Sequence, residues 1–338
     1  MTQAYHRVRV AEVIEETPDA CSLVLDLPAA VGDRFAYQPG QFLTVRIPGD
    51  GAGVAARCYS LSSSPHTDAA LKITVKRVLD GYVSNWICDH VTAGSELEVS
   101  LPGGRFVPPS LDGDLLLLAG GSGITPVVSI VKSVLAGGRG RIVLLYANRD
   151  PRSVIFAGEL ERLAAEHPQR LRVTHWYDLE QGPPTADRLE PLLQPYASWD
   201  AYVCGPEPYL MVVSRTLEGL GVPAERIHVE RFQPADPEPT EPGPQDERIA
   251  VAEVELNGQT HRLAWPARTR LLDLLIAGGL NPPYSCRQGS CGACACRVVR
   301  GEVELLHNEV LEEEDFAEGY TLACQALPRT DEVGISYS

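Results

Sequence analysis

A chain of 338 residues, 44% apolar and 22% charged, has the size and composition of a folded protein of two or three domains. Its formal net charge of −16 argues against nucleic acid, whose phosphates need a basic surface, and suits docking to protein partners or simple solubility. No run approaches the ~18 apolar residues of a membrane span and the first residues lack the apolar core of an export signal, so a cytoplasmic protein is expected, bacterial by its preference for arginine over lysine.

The first hundred residues predict short alternating strands at 7–13, 21–27, 41–47, 71–78 and 96–100, separated by Gly and Pro turns. That pattern reads as a small antiparallel barrel. Arg57-Cys58-Tyr59-Ser60 closes one barrel strand. A guanidinium two residues before an aromatic offers a pyrophosphate clamp beside a ring that can lie on a flat cofactor, and the next hydroxyl can reach that cofactor's edge. Asp80-Gly81-Tyr82-Val83-Ser84-Asn85-Trp86 follows. Here Gly81 permits a tight turn, and the N–H groups of Val83, Ser84 and Asn85 open a helix whose N-terminus attracts phosphate. Alone, each motif is weak; in order within one barrel they point to a flavin.

From Leu115 the rhythm becomes strand, helix, strand. Strands are expected at 115–118, 141–146, 172–175 and 201–204, and helices at 126–135, 158–167 and 208–217, a doubly wound α/β unit. Gly120-Gly121-Ser122-Gly123-Ile124-Thr125-Pro126 sits between the first strand and helix. Glycines there let backbone amides approach a pyrophosphate, although Pro126 replaces the last glycine of the usual dinucleotide fingerprint. Cys204-Gly205-Pro206-Glu207 follows a strand at the end where α/β ligands bind. A thiol there could meet a nicotinamide ring; a buried cysteine before a turn fits as well.

At 234–246, prolines alternate with acids, which predicts an extended linker. Beyond it come strands at 251–256 and 260–263 and a helix at 271–277. Then Cys286, Cys291 and Cys294 follow the spacing C-x4-C-x2-C, with Cys324 downstream. This is the plant-type ligand pattern of a [2Fe–2S] cluster, and it does not match the paired spacing zinc prefers. Cys21, Cys58, Cys88 and Cys296 read as ordinary small buried or half-buried thiols. The expected layout is a flavin barrel at 1–110, a nicotinamide dinucleotide domain at 111–233, the linker at 234–247 and a [2Fe–2S] domain at 248–338.

The ordered set R-x-Y-S, G-x-x-S-N, G-G-S-G-I-T-P, C-G-P and the cysteine pattern resembles the ferredoxin–NADP⁺ reductase superfamily, in the oxygenase-reductase form that carries a fused C-terminal plant-type ferredoxin. The resemblance covers nearly the whole chain. It implies a Greek-key flavin barrel, a nicotinamide-binding α/β domain and a β-grasp ferredoxin domain. The segments at 56–61, 146–156 and 291–296 look like the reductases of steroid 9α-hydroxylases; reductases of phenylacetyl-CoA epoxidases, which feed a di-iron partner, are the alternative, and a non-enzymatic electron carrier is a third.

Carried onto this chain, the resemblance implies FAD with its pyrophosphate on Arg57 and Ser84, Tyr59 against ribityl and ring, and Ser60 at the reactive edge. Gly81, Val83, Asn85 and Lys76 complete the expected cofactor set. Gly121, Gly123 and Thr125 would line the dinucleotide pyrophosphate, with Cys204 and Glu207 near the nicotinamide and Arg149 near the adenosine 2′ position. NADH is expected over NADPH. Phe232 would border the flavin or fill the core, and the acidic run 312–315 would dock a partner or be a solvated helix. The implied catalytic set is Ser60, Cys204 and Glu207, and the metal ligands are Cys286, Cys291, Cys294 and Cys324. The implied activity carries electrons from NAD(P)H through flavin and cluster to a terminal, Rieske-type oxygenase.

Overall fold

The computed structural model describes residues 5–28, 31–49, 54–232 and 248–337. The predicted linker at 234–247 lies outside them. Three main sheets, each with its own apolar core, are built in chain order, and a two-stranded sheet accompanies the third.

The first sheet contains β1 (His6–Thr17), β2 (Ala20–Asp26), β3 (Phe42–Pro48), β4 (Val54–Ser60), β5 (Leu71–Lys76) and β6 (Glu96–Val99), in the order β4-β3-β6-β1-β2-β5. Its pairs are antiparallel. Beyond β4 the chain returns to β5: Leu61 bridges Ile73, and the Ser62 N–H bonds the Lys72 carbonyl at 2.8 Å, which closes the barrel. Val8 and Val10 point inward between exposed Arg7 and Arg9, as a period of two requires. They pack with Leu23, Leu25, Leu43, Val45, Ile73 and Val99. β1 outruns its predicted length because two register shifts, at Val10/Glu12 and Glu15/Thr17, bend it and interrupt the alternation. α1 (Tyr82–His90) covers one mouth.

The second sheet is entirely parallel. β7 (Leu115–Gly120), β8 (Ile142–Asn148), β9 (Leu171–Tyr177), β10 (Asp200–Cys204) and β11 (Ile227–Glu230) run in the order β11-β10-β7-β8-β9. The order reverses between β7 and β10, the switch point where α/β sheets bind ligands. α2 (Ile124–Gly137), α3 (Ala157–Glu166), α4 (Asp178–Gln181), α5 (Ala186–Leu193) and α6 (Glu207–Gly219) flank it. Two of these, α4 and α5, have no counterpart among the predicted helices. α5 contains Pro191, and four residues are too few to show a helical period in α4.

α2 is buried on nearly every side because it is wedged between sheet and barrel. The Ser129 hydroxyl donates to the Ser63 carbonyl at 2.6 Å, and the Ser133 and Ser64 hydroxyls pair at 2.7 Å. Lys132 Nζ lies 3.0 Å from Asp68 and 3.4 Å from Glu159, joining the two layers through charge.

The last unit contains β12 (Ile249–Leu256), β13 (Gln259–Pro266), α7 (Leu271–Ala277), β14 (Ala295–Arg300), β15 (Val303–Leu305), α8 (Glu313–Ala317), β16 (Tyr320–Leu322), β17 (Ala326–Pro328) and β18 (Glu332–Ser336). Its main sheet runs β13-β12-β18-β14-β16, with β12 and β18 parallel and α7 laid across it, a β-grasp. Leu271, Leu272 and Leu275 pack on Trp265, Val254 and Ile335. The acidic run forms α8: Glu312 and Asp315 make a reciprocal capping box, so part of its charge serves the helix terminus. Among the described residues no helix is long and apolar enough to cross a membrane.

Candidate active site at the junction of three sheets

Arg57, Cys58, Tyr59 and Ser60 end β4, an edge strand of the barrel, and face the cluster-bearing loop. Arg57 Nη1 donates to the carbonyls of Ala56 (2.7 Å) and Tyr284 (3.3 Å), and the guanidinium lies 5.4 Å from the Tyr284 ring. The predicted clamp is therefore anchored at one corner to the cluster module. Tyr59 packs against the barrel core; burial pushes its phenol up, so it remains neutral. Ser60 is buried at the wall of a cavity.

The turn expected to bind phosphate differs from expectation in two respects. Asp80, at φ 58°, takes the left-handed turn rather than Gly81. Gly81 is needed for space, because a Cβ there would stand 2.9 Å from both Ser84 Oγ and Val78 Cβ. The Asn85 N–H is already bonded to the Gly81 carbonyl at 3.3 Å. The helix opening thus rests on the earlier amides of Val83 and Ser84, while Asn85 Nδ2 and Ser84 Oγ hold the turn through Val78.

Gly121, Ser122 and Gly123 form a short 3₁₀ turn between β7 and α2. Tyr146 donates to the Gly121 carbonyl at 3.0 Å, and Thr125 Oγ1 donates to the Ser122 carbonyl at 3.0 Å. Thr125, expected to line a pyrophosphate, uses its hydroxyl's proton to shape the loop. Lys76 Nζ stands 3.7 Å from where a Cβ on Gly121 would lie, so its charge hangs over the turn. Cys204 ends β10 directly beneath Gly123. Its thiol is fully buried in the α/β core, and burial pushes it well above its ordinary pKa, so it is neutral. Glu207 is exposed at the start of α6, 3.5 Å from Arg231. Arg149 is exposed and paired with Asp150 at 3.0 Å.

The four predicted ligands meet on one loop and one strand end. Cys286 neighbours Cys291, and Cys294 neighbours Cys324, through backbone-to-sulfur contacts. Amide N–H groups point at the sulfurs: Cys286 N to Cys291 Sγ at 3.4 Å, Gln288 N to Cys286 Sγ at 3.4 Å, and Cys324 N to Cys294 Sγ at 3.5 Å. Gly289, at φ 82°, lets the loop pass beneath the His307 carbonyl. Among the described residues no three His, Cys, Asp or Glu side chains are placed to hold a single ion. Two pairs of thiols with inward amides suit a two-iron cluster and not a mononuclear zinc centre.

All three units line one cavity of about 390 Å³. The barrel contributes Cys58 and Ser60, the end of the α/β layer Glu230 and Phe232, and the cluster loop Ser285 and Cys286. Its size suits the flat part of a cofactor. Glu230 was missed by sequence reasoning, since one acid in a short terminal strand looks solvent-facing. In the sheet it pairs with Cys204, and its carboxyl is pushed up to about 7, first by burial, then by Cys286 and Glu309. Ser60 lies on the wall of the same cavity. Tyr146 and Ser285 were missed because their roles depend on partners distant in the chain. Cys58 is more than the small thiol expected, because it touches the cluster module.

Comparison with known proteins agrees with this architecture. Residues 7–107 match an oxidoreductase FAD-binding domain, 117–215 an oxidoreductase NAD-binding domain, and 254–329 a 2Fe-2S iron-sulfur cluster binding domain. The chain is 50% identical over 335 residues to the ferredoxin reductase component of 3-ketosteroid-9-alpha-monooxygenase from Rhodococcus rhodochrous, covering 97% of this chain and 95% of that protein. It is 32% identical over 358 residues to a component of the 1,2-phenylacetyl-CoA epoxidase of Escherichia coli, covering 98% of each. Among solved structures, phthalate dioxygenase reductase superposes with a TM-score of 0.62 at 25% identity, covering 98% of both chains. With the FAD-, NAD- and [2Fe–2S]-binding units in one chain and half of its residues shared along almost its full length, the protein belongs to the family of flavin-dependent ferredoxin reductase components of monooxygenases.

Proposed function

We propose that this chain is the NADH-dependent reductase of a steroid 9α-hydroxylating system, delivering electrons to a Rieske-type terminal oxygenase in the bacterial cytoplasm. The observation that carries the electron path is that Ser60, Glu230 and the cluster ligand Cys286 line one cavity. The steroid assignment is supported by the 50% identity to the 3-ketosteroid-9-alpha-monooxygenase reductase, against 32% to the epoxidase component.

When bound, FAD supplies the conversion of a two-electron hydride into single electrons, and the cluster supplies a one-electron exit. The chain's own residues position and insulate. Arg57, with the amides opening α1, would hold the flavin pyrophosphate, and Tyr59 would flank the ring. Ser60 would orient the reactive edge, with Glu230 holding a proton beside it. The Gly121–Gly123 turn and Lys76 would seat the nicotinamide dinucleotide, its ring entering above Cys204. Phe106, buried on the cavity wall, would help exclude water from the transfer, with Phe232 at its rim. Thiolates of Cys286 and Cys291 would hold one iron, and those of Cys294 and Cys324 the other. We set the unit boundaries at 110/111 and 233/234, with 234–247 as the tether before the cluster domain.

NADH over NADPH is supported by the Arg149–Asp150 pair. The carboxylate already neutralises the guanidinium and would oppose a 2′-phosphate. Steady-state reduction of a 3-ketosteroid 9α-hydroxylase oxygenase component, with NADH and NADPH compared, tests the proposal. It predicts coupled steroid hydroxylation with NADH in preference. NADPH preference overturns the cofactor reading, and turnover only with a di-iron epoxidase partner overturns the steroid reading.

A further inference from the structure

We propose that Ser285 is a positioning residue that seats the cluster loop on the flavin strand and so fixes the geometry through which electrons cross between the two units. The inference rests on the electron path proposed above. Ser285 immediately precedes the ligand Cys286, and Cys58 lies between Arg57 and Tyr59. These two residues meet twice: Ser285 Oγ accepts from the Cys58 N–H at 3.0 Å and donates to Cys58 Sγ at 3.2 Å.

The contact is buried, with Ser285 only 6% exposed. β4 is an edge strand, so the Cys58 N–H has to find a partner outside the barrel sheet, and a hydroxyl from the neighbouring unit supplies it. A hydroxyl carries one donor and two acceptor sites, and here the donor and one acceptor go to the same residue. Around the pair, Phe42 and Ala56 of the barrel pack directly with Cys291 and Ala293 of the cluster loop. Arg57 Nη1 adds a bond to the Tyr284 carbonyl at 3.3 Å across the same interface. Arg105 reaches Glu309 at 3.3 Å but is largely exposed, where ion pairs contribute little.

Removing the hydroxyl leaves the Cys58 N–H unpaired and deletes two neutral hydrogen bonds. Together they contribute enough that the equilibrium constant for seating falls roughly tenfold or more. Hydride transfer to the flavin does not cross this contact; electron transfer from flavin to cluster does.

The test uses the full-length holoprotein. In anaerobic stopped flow with NADH, Ser285→Ala is expected to slow cluster reduction roughly tenfold relative to the bleaching of its own flavin. Ser285→Thr, which keeps the hydroxyl, restores the rate. A wild-type protein whose flavin is not bleached by NADH overturns the reductase reading itself. Normal flavin bleaching with unslowed cluster reduction in Ser285→Ala overturns the positioning role alone. A second readout needs no electron transfer. Ser285→Cys is treated with diamide, an azo oxidant that takes two electrons and two protons from two thiols as the S–S bond forms and is itself reduced to the hydrazine. Peptide mass spectrometry is expected to find the disulfide between Cys58 and position 285, and its absence overturns the contact.

Discussion

Gly123 lies so close beneath the end of β10 that a Cβ on it would stand 2.1 Å from the Cys204 carbonyl oxygen and 2.7 Å from the Gly205 nitrogen. The atoms it would meet are backbone, at the switch point where the glycine turn and the strand end face each other. Neither can yield as a flexible side chain would. Gly123→Ala should therefore spread the two strand ends and cost about 1–3 kcal/mol of stability, the usual range for overpacking. Thermal unfolding and NADH titration check it: a lower Tm and a raised Kd for NADH are expected, with FAD content unchanged.

Glu230 gives a pH dependence of defined sign. Its folded-state pKa is raised from 4.5 to about 7, so the folded protein binds the proton more tightly than the unfolded chain. Its contribution to stability is full below pH 4.5 and is lost as pH rises toward about 7. Glu230→Gln should remove that decline. Tm measured across this range for both proteins tests it, and parallel slopes would contradict the assignment.

Lys132 tests how the flavin and nicotinamide layers are joined. Its ammonium is 4% exposed and faces Asp68 and Glu159, each with roughly a quarter of its side chain in solvent. Burial raises the Asp68 carboxyl, but the Ser64 N–H and Lys132 more than offset this, and its pKa ends below the usual 3.8. Its contribution is thus present above that value and lost on acidification below it. Lys132→Ala leaves two carboxylates facing each other without a cation. The expected loss is about 2–3 kcal/mol, below the full cost for a buried pair because the acids are partly hydrated. Urea unfolding measures it.

Arg57 should matter more for its fork than for its charge. Arg57→Lys retains a cation but loses the planar geometry that reaches the Tyr284 carbonyl and a pyrophosphate together. The variant should purify with less FAD and a normal iron content. Flavin and iron assays on the same sample decide it; full flavin occupancy would contradict the clamp.

Much of the fold was legible because its signals are local. The continuous run of β7 announces a buried parallel strand, and the helix Leu271–Ala277 was placed to the residue. The cluster ligands were legible because iron imposes a spacing. What escaped depends on long-range partners. Glu230 has no sequence signal of its own and becomes a site residue only when β11 pairs with β10 beside the barrel. Ser285 reads as a small loop residue until its partner, 227 positions away, is in contact. In α5, Pro191 hid a helix that tertiary packing of Leu189 and Leu193 retains.

The central claim is that electrons enter beside the glycine turn and leave through Cys286, Cys291, Cys294 and Cys324 across one shared cavity. Anaerobic addition of NADH to the holoprotein, followed by optical absorbance and low-temperature EPR on the same sample, tests it most directly. The flavin band should bleach and the EPR signal of a reduced [2Fe–2S] cluster should then appear. A bleached flavin beside a cluster that stays EPR-silent, yet is reduced by dithionite, would contradict it.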